Sequence, residues 1–512
     1  MAASKEIAGP DLALGIALAE IPLGSTLVGR VADQAVLLTR RVDGFFAVSA
    51  SCTHYGAPLG EGRIDGDQVR CPWHHACFSL RSGEALSAPA FDALTRWNVE
   101  VIDERVFVRD VIESAVQPSS QRAGRRELNR VVVVGGGAAG FAAAEMLRRR
   151  GFSGDVTMLS ADAAAPCDRP NLSKDYLAGT APEEWIPLKD AGFYTSKNID
   201  LRLGAEVKSI DTRAKELTAA SGETFRYDAL LLATGATAIR LPGQGFDLPN
   251  VYVLRTLADA RALIEAAEKA RRVAVVGASF IGLEVAASLR TRGLDVQVIA
   301  PDQTPLQRVL GQDIGRFIQR VHEEQGVQFH LGRTAESFDG QHLHLNDGGA
   351  ISADFVVLGV GVRPNIQLAA AAGLAIDNGI VVDANMRTDA PGVFAAGDVA
   401  RYPDQRLGQR IRVEHWVAAE QQGQAAAESM LGETAPFAAI PFFWSHHYDR
   451  SIRYVGHATQ WTRIEVDGCI ESGDFTARYL EGDCLLAAAS LGRDGENLDL
   501  HAAMDRAAAA VF

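Results

Sequence analysis

Two patterns of hydrophobic and polar positions divide the chain. Between residues 15 and 110, short apolar stretches such as Phe45-Phe46-Ala47-Val48 and Val106-Phe107-Val108 alternate with turns that contain Gly and Asp. This pattern predicts short β-strands and an all-β domain. From Arg130 onward, wholly apolar runs are followed by a glycine turn and an Ala-rich helix, which predicts buried parallel strands in an α/β fold.

The α/β unit occurs twice, and each copy carries a glycine-rich loop. The loops are Gly135-Gly136-Gly137-Ala138-Ala139-Gly140 and Gly277-Ala278-Ser279-Phe280-Ile281-Gly282. Between a strand and a helix, Gly-x-Gly-x-x-Gly lets the backbone approach a pyrophosphate at the positive end of the helix. Ser279 replaces the middle glycine of the second loop, and we expect that its hydroxyl can face phosphate. Two such loops predict two dinucleotides, FAD and NAD(P)H.

Two short boxes in the all-β region carry metal-binding side chains. Cys52-Thr53-His54 is followed by Cys71-Pro72-Trp73-His74. Two thiolates and two imidazoles suit a Rieske [2Fe–2S] cluster, in which one iron takes two Cys and the other two His. A structural zinc ion is the alternative, since Cys2His2 is also a zinc ligand set. Zinc sites usually have two or more residues between the first two ligands, so Cys-x-His fits zinc poorly.

The first 112 or so residues resemble Rieske ferredoxin domains through these boxes. High-potential members have an extra Cys in each box and hydroxyl groups near the cluster. Here Ala57 and Trp73 stand at the Cys positions, and Ala76 and Phe78 replace the hydroxyls. Fewer hydrogen bonds to the sulfurs stabilise the reduced cluster less. The resemblance therefore implies a low potential, about −150 mV.

The histidines in and beside the two boxes are predicted to be exposed to solvent. His75 stands where this loop commonly has Gly, and we predict a surface imidazole rather than a third ligand, because four ligands are already assigned. We expect His54 and His74 to be exposed at the tip of the domain, where electrons would enter or leave.

Composition and charge limit the partners and the compartment. The 512 residues are 47% hydrophobic and 22% charged, and the net charge of −14 argues against nucleic acid or an anionic membrane as a partner. We expect no transmembrane segment and no signal peptide. Six cysteines in a chain of this length do not form a disulfide framework, so a cytoplasmic location is expected.

Further motifs point to one enzyme family. Ala233-Thr234-Gly235, Gly359-Val360-Gly361-Val362-Arg363-Pro364-Asn365 and Val393-Phe394-Ala395-Ala396-Gly397-Asp398 each end an apolar run. With the two glycine loops, they resemble the flavoprotein reductases of the glutathione-reductase fold. The closest resemblance is to ferredoxin reductases of Rieske oxygenase systems and to proteins like apoptosis-inducing factor. It is carried by Asp168-Arg169-Pro170-Asn171-Leu172-Ser173-Lys174, Leu254-Arg255-Thr256, Phe280-Ile281-Gly282-Leu283-Glu284, Val413-Glu414-His415-Trp416 and Phe442-Phe443-Trp444-Ser445.

The resemblance implies roles for particular residues. Arg169 and Lys174 contact the flavin, and Asp398 binds its ribityl chain. Glu284 pairs with Lys174 near the flavin N5, where hydride arrives, so Lys174 and Glu284 are the candidate catalytic residues. The flavin ring is flanked by Glu414, His415 and Trp416. The remaining candidate cofactor contacts are Gly135, Gly137, Gly140, Asp162, Ala233, Thr234, Gly235, Gly277, Ser279, Gly282 and Gly361.

The predicted fold is multi-domain. An all-β Rieske domain (1–112) and a linker (113–128) precede a discontinuous FAD-binding domain (129–245 and 367–405). A Rossmann-like NAD(P)H-binding domain (246–366) and a small α+β C-terminal reductase domain (406–512) complete the chain. Relatives of this fold are often dimers, so a homodimer is one expectation.

Nucleotide preference rests on two departures from the family. The acid that binds an adenosine ribose is usually Glu at the positions of Ala161 and Ala300, and we predict that Asp162 and Asp302 replace it. No Arg directly follows the second strand, which favours NADH over NADPH, although Arg308 could still reach a 2′-phosphate.

The predicted function is electron transfer from NAD(P)H through FAD to the cluster and on to an acceptor such as an oxygenase or a ferredoxin. One alternative is a single-cysteine flavin disulfide reductase or NADH oxidase, for which Cys167 is the candidate thiol, although packing is the expected role of Cys167, Cys77, Cys469 and Cys484. The other alternative is a redox-sensing protein like apoptosis-inducing factor.

Overall fold

The computed structural model describes residues 9–113 and 128–509. Two compact units make up these residues: the first holds residues 9–113 together with Arg493–Ala503, and the second holds the rest. The linker expected at 113–128 lies outside the described residues except for its two end positions.

The first unit is built from short strands, as the alternating pattern predicts. They are β1 (Ile16–Ala17), β2 (Thr26–Val31), β3 (Gln34–Arg41), β4 (Gly44–Ser49), β5 (Arg63–Asp65), β6 (Gln68–Arg70), β7 (Cys77–Ser79), β8 (Ala85–Ser87), β9 (Arg96–Ile102) and β10 (Arg105–Val111). Single turns of 3₁₀ helix cover Leu12–Leu14, Leu18–Glu20 and Leu59–Glu61.

Two antiparallel sheets form this unit. Their strand orders are β1-β10-β9-β4-β3-β2 and β5-β6-β7-β8. Along β3, Leu37 packs with Val48 on one side, whereas Val36 and Leu38 pack with Trp97 on the other. Alternate side chains of one strand therefore enter two separate cores, because successive side chains point to opposite faces. The all-β prediction is confirmed.

The second unit begins with the strand that leads into the first glycine loop. Its elements up to residue 245 are β11 (Arg130–Val134), α1 (Ala138–Arg149), β12 (Asp155–Leu159), α2 (Arg169–Leu172), α3 (Asp175–Ala178), α4 (Ala191–Ser196), β13 (Ile199–Arg202), β14 (Val207–Asp211), β15 (Glu216–Ala219), β16 (Thr224–Arg226), β17 (Ala229–Leu232) and β18 (Ala236–Ala238), with a 3₁₀ turn at Glu183–Trp185.

The second glycine loop lies in the next segment. Its elements are β19 (Val251–Tyr252), α5 (Leu257–Lys269), β20 (Arg272–Val276), α6 (Phe280–Thr291), β21 (Asp295–Ala300), α7 (Gln307–Leu310), α8 (Gln312–Glu324), β22 (Gln328–Leu331), β23 (Ala335–Phe338), β24 (His342–Leu345), β25 (Ala350–Ser352), β26 (Phe355–Leu358) and β27 (Val362–Pro364).

The chain then returns to the first sheet before it forms a C-terminal sheet. The elements are α9 (Gln367–Ala371), β28 (Ile380–Val381), β29 (Val393–Ala395), β30 (Ala400–Asp404), β31 (Gln409–Ile411), α10 (Trp416–Met430), β32 (Phe442–His447), β33 (Arg450–Gly456), β34 (Arg463–Cys469), β35 (Asp474–Glu481) and β36 (Cys484–Leu491). Helix α11 (Asp494–Ala509) follows, and its residues up to Ala503 belong to the first unit.

Two parallel sheets support the glycine loops, as the apolar runs predict. Their orders are β13-β12-β11-β17-β29 and β19-β26-β20-β21-β22. Strands β11 and β20 lie inside their sheets, and residues Val131–Val134 and Val273–Val276 are buried. Each loop therefore leaves the carboxyl end of an inner parallel strand, the place where α/β folds bind nucleotides. The C-terminal sheet, β32-β33-β36-β35-β34, is antiparallel.

Candidate functional site

The two Cys/His boxes form matching loops in the first unit. The first box follows β4, and Cys71 directly follows β6. The backbone N–H of Cys52 donates to the carbonyl of Ala57 at 2.9 Å, and that of Cys71 donates to the carbonyl of Ala76 at 2.8 Å. Each loop thus closes between its cysteine and the residue five positions later. Equivalent closure gives both cysteines the same place at the base of a loop.

The four candidate ligands come together as two pairs. The thiols of Cys52 and Cys71 are hydrogen-bonded, and the Nδ1 atoms of His54 and His74 lie 3.1 Å apart. In the described residues, no three or more His, Cys, Asp or Glu side chains are placed to hold a single metal ion. One pair of thiols and one pair of imidazoles, each brought together from the two boxes, are the donor set that a Rieske cluster needs, one pair for each iron.

The protonation of these donors has a physical cause. The hydrogen bond with Cys71, together with burial, raises the pKa of the Cys52 thiol. Burial lowers the pKa of His54 to about 4. A neutral imidazole can bind metal at once, whereas a thiol must release its proton to solvent when iron binds the sulfur. Cluster binding is therefore coupled to proton release from the cysteines.

The expected exposure of the imidazoles is wrong. His74 is buried, with 8% of its surface exposed, and His54 is half-buried. The exposed side chains are those of the flanking aromatics, Tyr55 and Trp73. The Tyr55 ring stacks on His54 with 4.0 Å between ring centres. Each of these aromatic rings packs against a candidate ligand. The spacing of residues in the sequence did not predict these contacts.

The expected surface position of His75 is also wrong. Its side chain is buried, and its Nδ1 lies 2.6 Å from the Nδ1 of His501 on helix α11. The φ of His75 is +61°, a left-handed conformation that glycine adopts without strain. The backbone explains why Gly is common here, and the contact with His501 explains what the side chain does instead of binding metal.

The first glycine loop has no room for a side chain at its first and last glycines. Gly135 has a φ of +118°, and a Cβ there would overlap the carbonyl of Ala233. A Cβ at Gly140 would overlap the carbonyl of Gly135. At Gly137, the residue that precedes helix α1, a Cβ would lie 3.7 Å from the guanidinium of Arg169. The loop thus presents bare backbone and one cation at the start of a helix, which fits a pyrophosphate.

The second glycine loop repeats this geometry with one difference. Gly277 has a φ of +115°, and a Cβ at Gly282 would overlap the carbonyl of Gly277. Ser279 caps helix α6, accepting the N–H of Gly282 at 3.5 Å, and its hydroxyl donates to the carbonyl of Gly359 at 2.8 Å. The expectation that this hydroxyl faces a phosphate is not met, because its proton is donated to the carbonyl of Gly359, which follows strand β26.

Lys174 and Glu284 form a buried ion pair. Lys174 Nζ lies 2.8 Å from Glu284 Oε2, and Glu284 is 2% exposed. The hydroxyls of Ser173 and Ser445 also donate to this carboxylate, at 2.5 and 2.7 Å. The Lys174 ammonium lies 5.9 Å from the centre of the Trp444 ring. Glu284 lies on helix α6, which starts at the second glycine loop, and Lys174 lies in the α/β unit that contains the first loop. The ion pair therefore connects the two α/β units.

Asp398 forms an ion pair with Arg255, a residue that the sequence analysis did not assign to the site. Arg255 Nη2 lies 2.6 Å from Asp398 Oδ2. Burial, and then repulsion from Arg255, lower the pKa of the Arg169 guanidinium. Two arginines and one carboxylate therefore meet beside the first loop. The signal was available, since Arg255 is part of the Leu-Arg-Thr motif.

The segment before helix α10 separates the three residues expected at the flavin ring. Glu414 is exposed and pairs with Arg412 at 2.7 Å. His415 lies 4.6 Å from Phe443 between ring centres, and burial lowers its pKa to about 3, so it is neutral. Trp416 begins the helix. Of the three, His415 is half-buried against Phe443, and Glu414 faces outward.

The strand ends at Ala233-Thr234-Gly235 and Gly361 lie side by side. The Thr234 hydroxyl donates to the carbonyl of Asn365 at 2.9 Å, and the Asn365 amide donates back to the carbonyl of Thr234 at 2.8 Å. Gly235 and Gly361 both have positive φ, +63° and +101°. These bonds join the ends of the two dinucleotide-binding units.

The two aspartates proposed for adenosine binding differ. Asp162 accepts the backbone N–H of Ala164 at 3.1 Å, whereas Asp302 pairs with Arg308 at 3.0 Å. Arg308 is therefore engaged by a carboxylate that would repel a 2′-phosphate.

The remaining cysteines divide into buried and exposed. Cys77 and Cys167 are buried, which agrees with packing, and burial raises the pKa of Cys167. Cys469 and Cys484 are exposed at the ends of β34 and β36, so their predicted packing role is wrong. The strand positions were correct, but both cysteines stand at the end of a strand, where exposure cannot be read from the sequence alone.

Comparison with known proteins decides the family. Residues 129–423 match the family described as pyridine nucleotide-disulphide oxidoreductase, residues 16–98 match the Rieske [2Fe-2S] domain, and residues 442–510 match the reductase C-terminal domain. The chain belongs to the pyridine nucleotide-disulphide oxidoreductase family. It is a reductase with a Rieske domain in front and a reductase C-terminal domain behind.

Individual relatives of the reductase fall into two groups. Apoptosis-inducing factor 3 of Homo sapiens is 34% identical over 90% of this chain and 78% of its own. The ferredoxin–NAD(+) reductase component of the anthranilate 1,2-dioxygenase system of Burkholderia cepacia is 40% identical over 71% of this chain and 91% of its own. Among solved structures, a covalent putidaredoxin reductase–putidaredoxin complex superposes with a TM-score of 0.71 at 32% identity, covering 74% of this chain and 93% of that one.

The function follows at the level of the family. The reductase takes hydride from NAD(P)H to FAD and passes single electrons to a Rieske [2Fe-2S] cluster and on to an acceptor. The predicted fold class, enzyme class and cofactors are confirmed. Among the helices of the described residues, none has the length and apolar character to cross a membrane.

Proposed function

We propose that hydride transfer takes place beside the Lys174–Glu284 pair and that the electrons leave through the cluster loops of Cys52, His54, Cys71 and His74. The observation that carries this proposal is the ion pair itself, at 2.8 Å, which joins the two dinucleotide-binding units at a buried point. FAD supplies the change from two-electron to one-electron chemistry, and the cluster carries one electron at a time.

The residues of the reductase supply position and charge. Lys174 Nζ also donates to the carbonyl of Pro170 at 3.0 Å, so its ammonium is held by two acceptors. A fixed positive charge stabilises electrons that arrive beside it, at no cost in reorganisation. Arg169 and Arg255 offer positive charge to the phosphates that the first loop receives, and the neutral His415 packs without adding charge.

The final acceptor is an oxygenase or a ferredoxin, in our proposal. The ferredoxin reductase relatives carry dioxygenase systems in their names, and the solved complex joins a reductase to putidaredoxin. We further propose NADH as the preferred donor, because Asp302 engages Arg308. A cytoplasmic homodimer completes the proposal, and the free cysteines at exposed positions suit a reducing compartment.

Low-temperature EPR on anaerobic protein mixed with stoichiometric NADH tests the electron path. We expect flavin bleaching together with a rhombic signal of low average g-value from the His-ligated cluster. The matched control is Cys71→Ser, for which the flavin should still bleach while the signal is lost. Flavin bleaching in the native protein with a silent cluster that dithionite can still reduce would contradict the internal path. Light scattering after size-exclusion chromatography tests the dimer.

A further inference from the structure

A line of buried polar side chains leads away from Glu284. Ser445 Oγ lies 2.7 Å from Glu284 Oε1 and 3.1 Å from His447 Nε2. His447 Nδ1 in turn lies 3.1 Å from His322 Nε2. Glu284 is 2% exposed, and the other three side chains are fully buried. Four residues from α6, β32 and α8 therefore form one continuous chain of hydrogen bonds.

The direction of these hydrogen bonds is fixed by the groups themselves. A carboxylate only accepts, so the single proton of the Ser445 hydroxyl points to Glu284. Ser445 Oγ must then accept from an Nε2–H of His447. A neutral His447 with its proton on Nε2 leaves Nδ1 to accept from the Nε2–H of His322. Every hydrogen bond in the chain thus points toward Glu284.

The far end of the chain is an open acceptor. With its proton on Nε2, His322 has a bare Nδ1, and this atom is buried with no hydrogen-bond partner in the described part of the protein. A buried polar atom without a partner costs free energy, so its persistence calls for a reason. The ring of Tyr448, in the turn between β32 and β33, packs edge-on at 5.2 Å, and the next residue, Asp449, is 79% exposed. His322 therefore lies under a surface turn.

We propose that His322, His447 and Ser445 form a proton relay between this surface turn and Glu284. A proton that reaches His322 Nδ1 releases the Nε2 proton to His447 Nδ1. His447 passes its Nε2 proton to Ser445 Oγ, and Ser445 passes its own proton to Glu284 Oε1. One proton enters, one arrives, and each histidine ends neutral with its proton on Nδ1. The same steps in reverse return the proton to the surface.

The relay answers a need of the proposed chemistry. Electrons that arrive beside Lys174 and Glu284 add negative charge there, and Coulomb attraction then favours a proton on Glu284. When the electrons leave singly, the proton that NADH brought with its hydride is left behind, and the chain run in reverse carries it from Glu284 to the surface turn. Overall, NADH gives NAD⁺, two electrons and one proton, so one proton per turnover must reach solvent. This part of the inference rests on the proposed function, whereas the direction of the chain does not.

The surroundings keep the two histidines neutral at rest. Burial, followed by repulsion from His446 and Lys174, lowers the pKa of His447 to about 3. Burial and then His447 lower the pKa of His322. His446 itself faces Ser451 at 2.7 Å, outside the chain, and Arg290 acts on the neighbouring Tyr448. Neutral histidines can each accept a proton on one nitrogen and release another from the other nitrogen. A histidine that is already protonated has no free nitrogen to accept the incoming proton.

Nitrogen-15 NMR of histidine-labelled holoprotein tests the direction of the chain without turnover. We expect two neutral imidazoles with the proton on Nε2 that do not titrate between pH 5.5 and 8.5. Their signals should be lost in His322→Gln and His447→Gln. A charged imidazole, or an Nδ1–H on His447 in the oxidised protein, would overturn the proposal.

Infrared spectroscopy after rapid reduction tests the relay itself. On reduction with dithionite, a protonated-carboxyl band that is absent in Glu284→Gln should form. In Ser445→Ala and His447→Gln its formation should slow on the order of 10-fold or more. Glutamine keeps a donor and an acceptor at position 447 but cannot pass a proton, and His446→Gln on the opposite face of β32 is the matched control.

The outcomes separate the relay from the proposed function. If NADH fails to reduce the flavin while the dithionite band still slows in both variants, the proposed function fails and the relay stands. An absent band in the native protein, or equal rates in Ser445→Ala, His447→Gln and the control, would remove the relay.

Discussion

The two glycine loops of the reductase have the same backbone and different middle residues. Gly135 and Gly277 have φ angles of +118° and +115°, and a Cβ at Gly140 or Gly282 would overlap the carbonyl five residues earlier in its own loop. The first loop has Gly137 beside the Arg169 guanidinium, whereas the second has Ser279 bonded to Gly359. Both loops present bare backbone at their first and last glycines, but only the first has a cation, Arg169, beside its middle residue.

The largest effect is expected at the first loop. In Gly140→Ala, the added methyl overlaps backbone that cannot move aside, at a cost of about 3 kcal/mol. That cost corresponds to FAD binding weaker on the order of 100-fold. The flavin absorbance of the purified protein, relative to cluster absorbance, measures the effect. Gly495→Ala, with no atom near the added methyl, is the control. Full flavin content in Gly140→Ala would show that this loop does not hold FAD.

The equivalent change in the second loop should spare the flavin. Gly282→Ala overlaps the carbonyl of Gly277, so we expect normal FAD content and a KM for NADH raised on the order of 100-fold. Stopped-flow reduction of the bound flavin at increasing NADH concentrations measures it. Loss of flavin from Gly282→Ala instead would reverse the assignment of the two loops.

Ser279 allows a finer test of the difference. Removing the cap in Ser279→Ala should lower the free energy of unfolding by about 1 kcal/mol, whereas Ser279→Gly, which recreates the residue type of the first loop, should cost only a few tenths. Thermal unfolding of the two variants gives the comparison. Because the hydroxyl is already bonded to the carbonyl of Gly359 and to the N–H of Gly282, neither variant should change the KM for NADH more than about two-fold. A larger rise in both would mean that the hydroxyl contacts the coenzyme.

The smallest effect is expected at Asp302, which follows strand β21, and it concerns the choice between NADH and NADPH. In Asp302→Ala, the exposed Arg308 loses its carboxylate and can meet a 2′-phosphate. Exposed ion pairs contribute about 0.5–1 kcal/mol, so the ratio of NADPH to NADH use should rise roughly two- to five-fold. Steady-state kinetics with both coenzymes measure it. Asp162→Ala, at the matching position of the first unit, should leave this ratio unchanged.

Local sequence predicted the features that depend on neighbouring residues. The strand–glycine–helix units, the two metal boxes and the all-β first unit each follow from patterns within about 20 residues, and the structure contains them. The Lys174–Glu284 pairing came from family resemblance instead, because 110 residues separate its members.

The features that the sequence did not predict depend on distant contacts. His75 is buried because His501 reaches it from 426 residues later in the chain. His447 and His322 meet across 125 residues, and neither stands in a motif. The Ser279 hydroxyl turns to a carbonyl supplied by the strand that ends at Leu358. In each case the partner is chosen by the tertiary fold, which periodicity and spacing do not encode.

The path of the chain through its two parallel sheets sets an order of events during synthesis. All strands of the second sheet have been synthesised once Leu358 is added, whereas the first sheet lacks β29 until Val393–Ala395 is made. The second sheet can therefore form while the first sheet still has an unpaired edge along β17. Unpaired strand edges are sites where a wrong strand can pair. Chaperones that bind nascent chains would meet this exposed edge for the time needed to translate about 35 residues, a few seconds at bacterial rates.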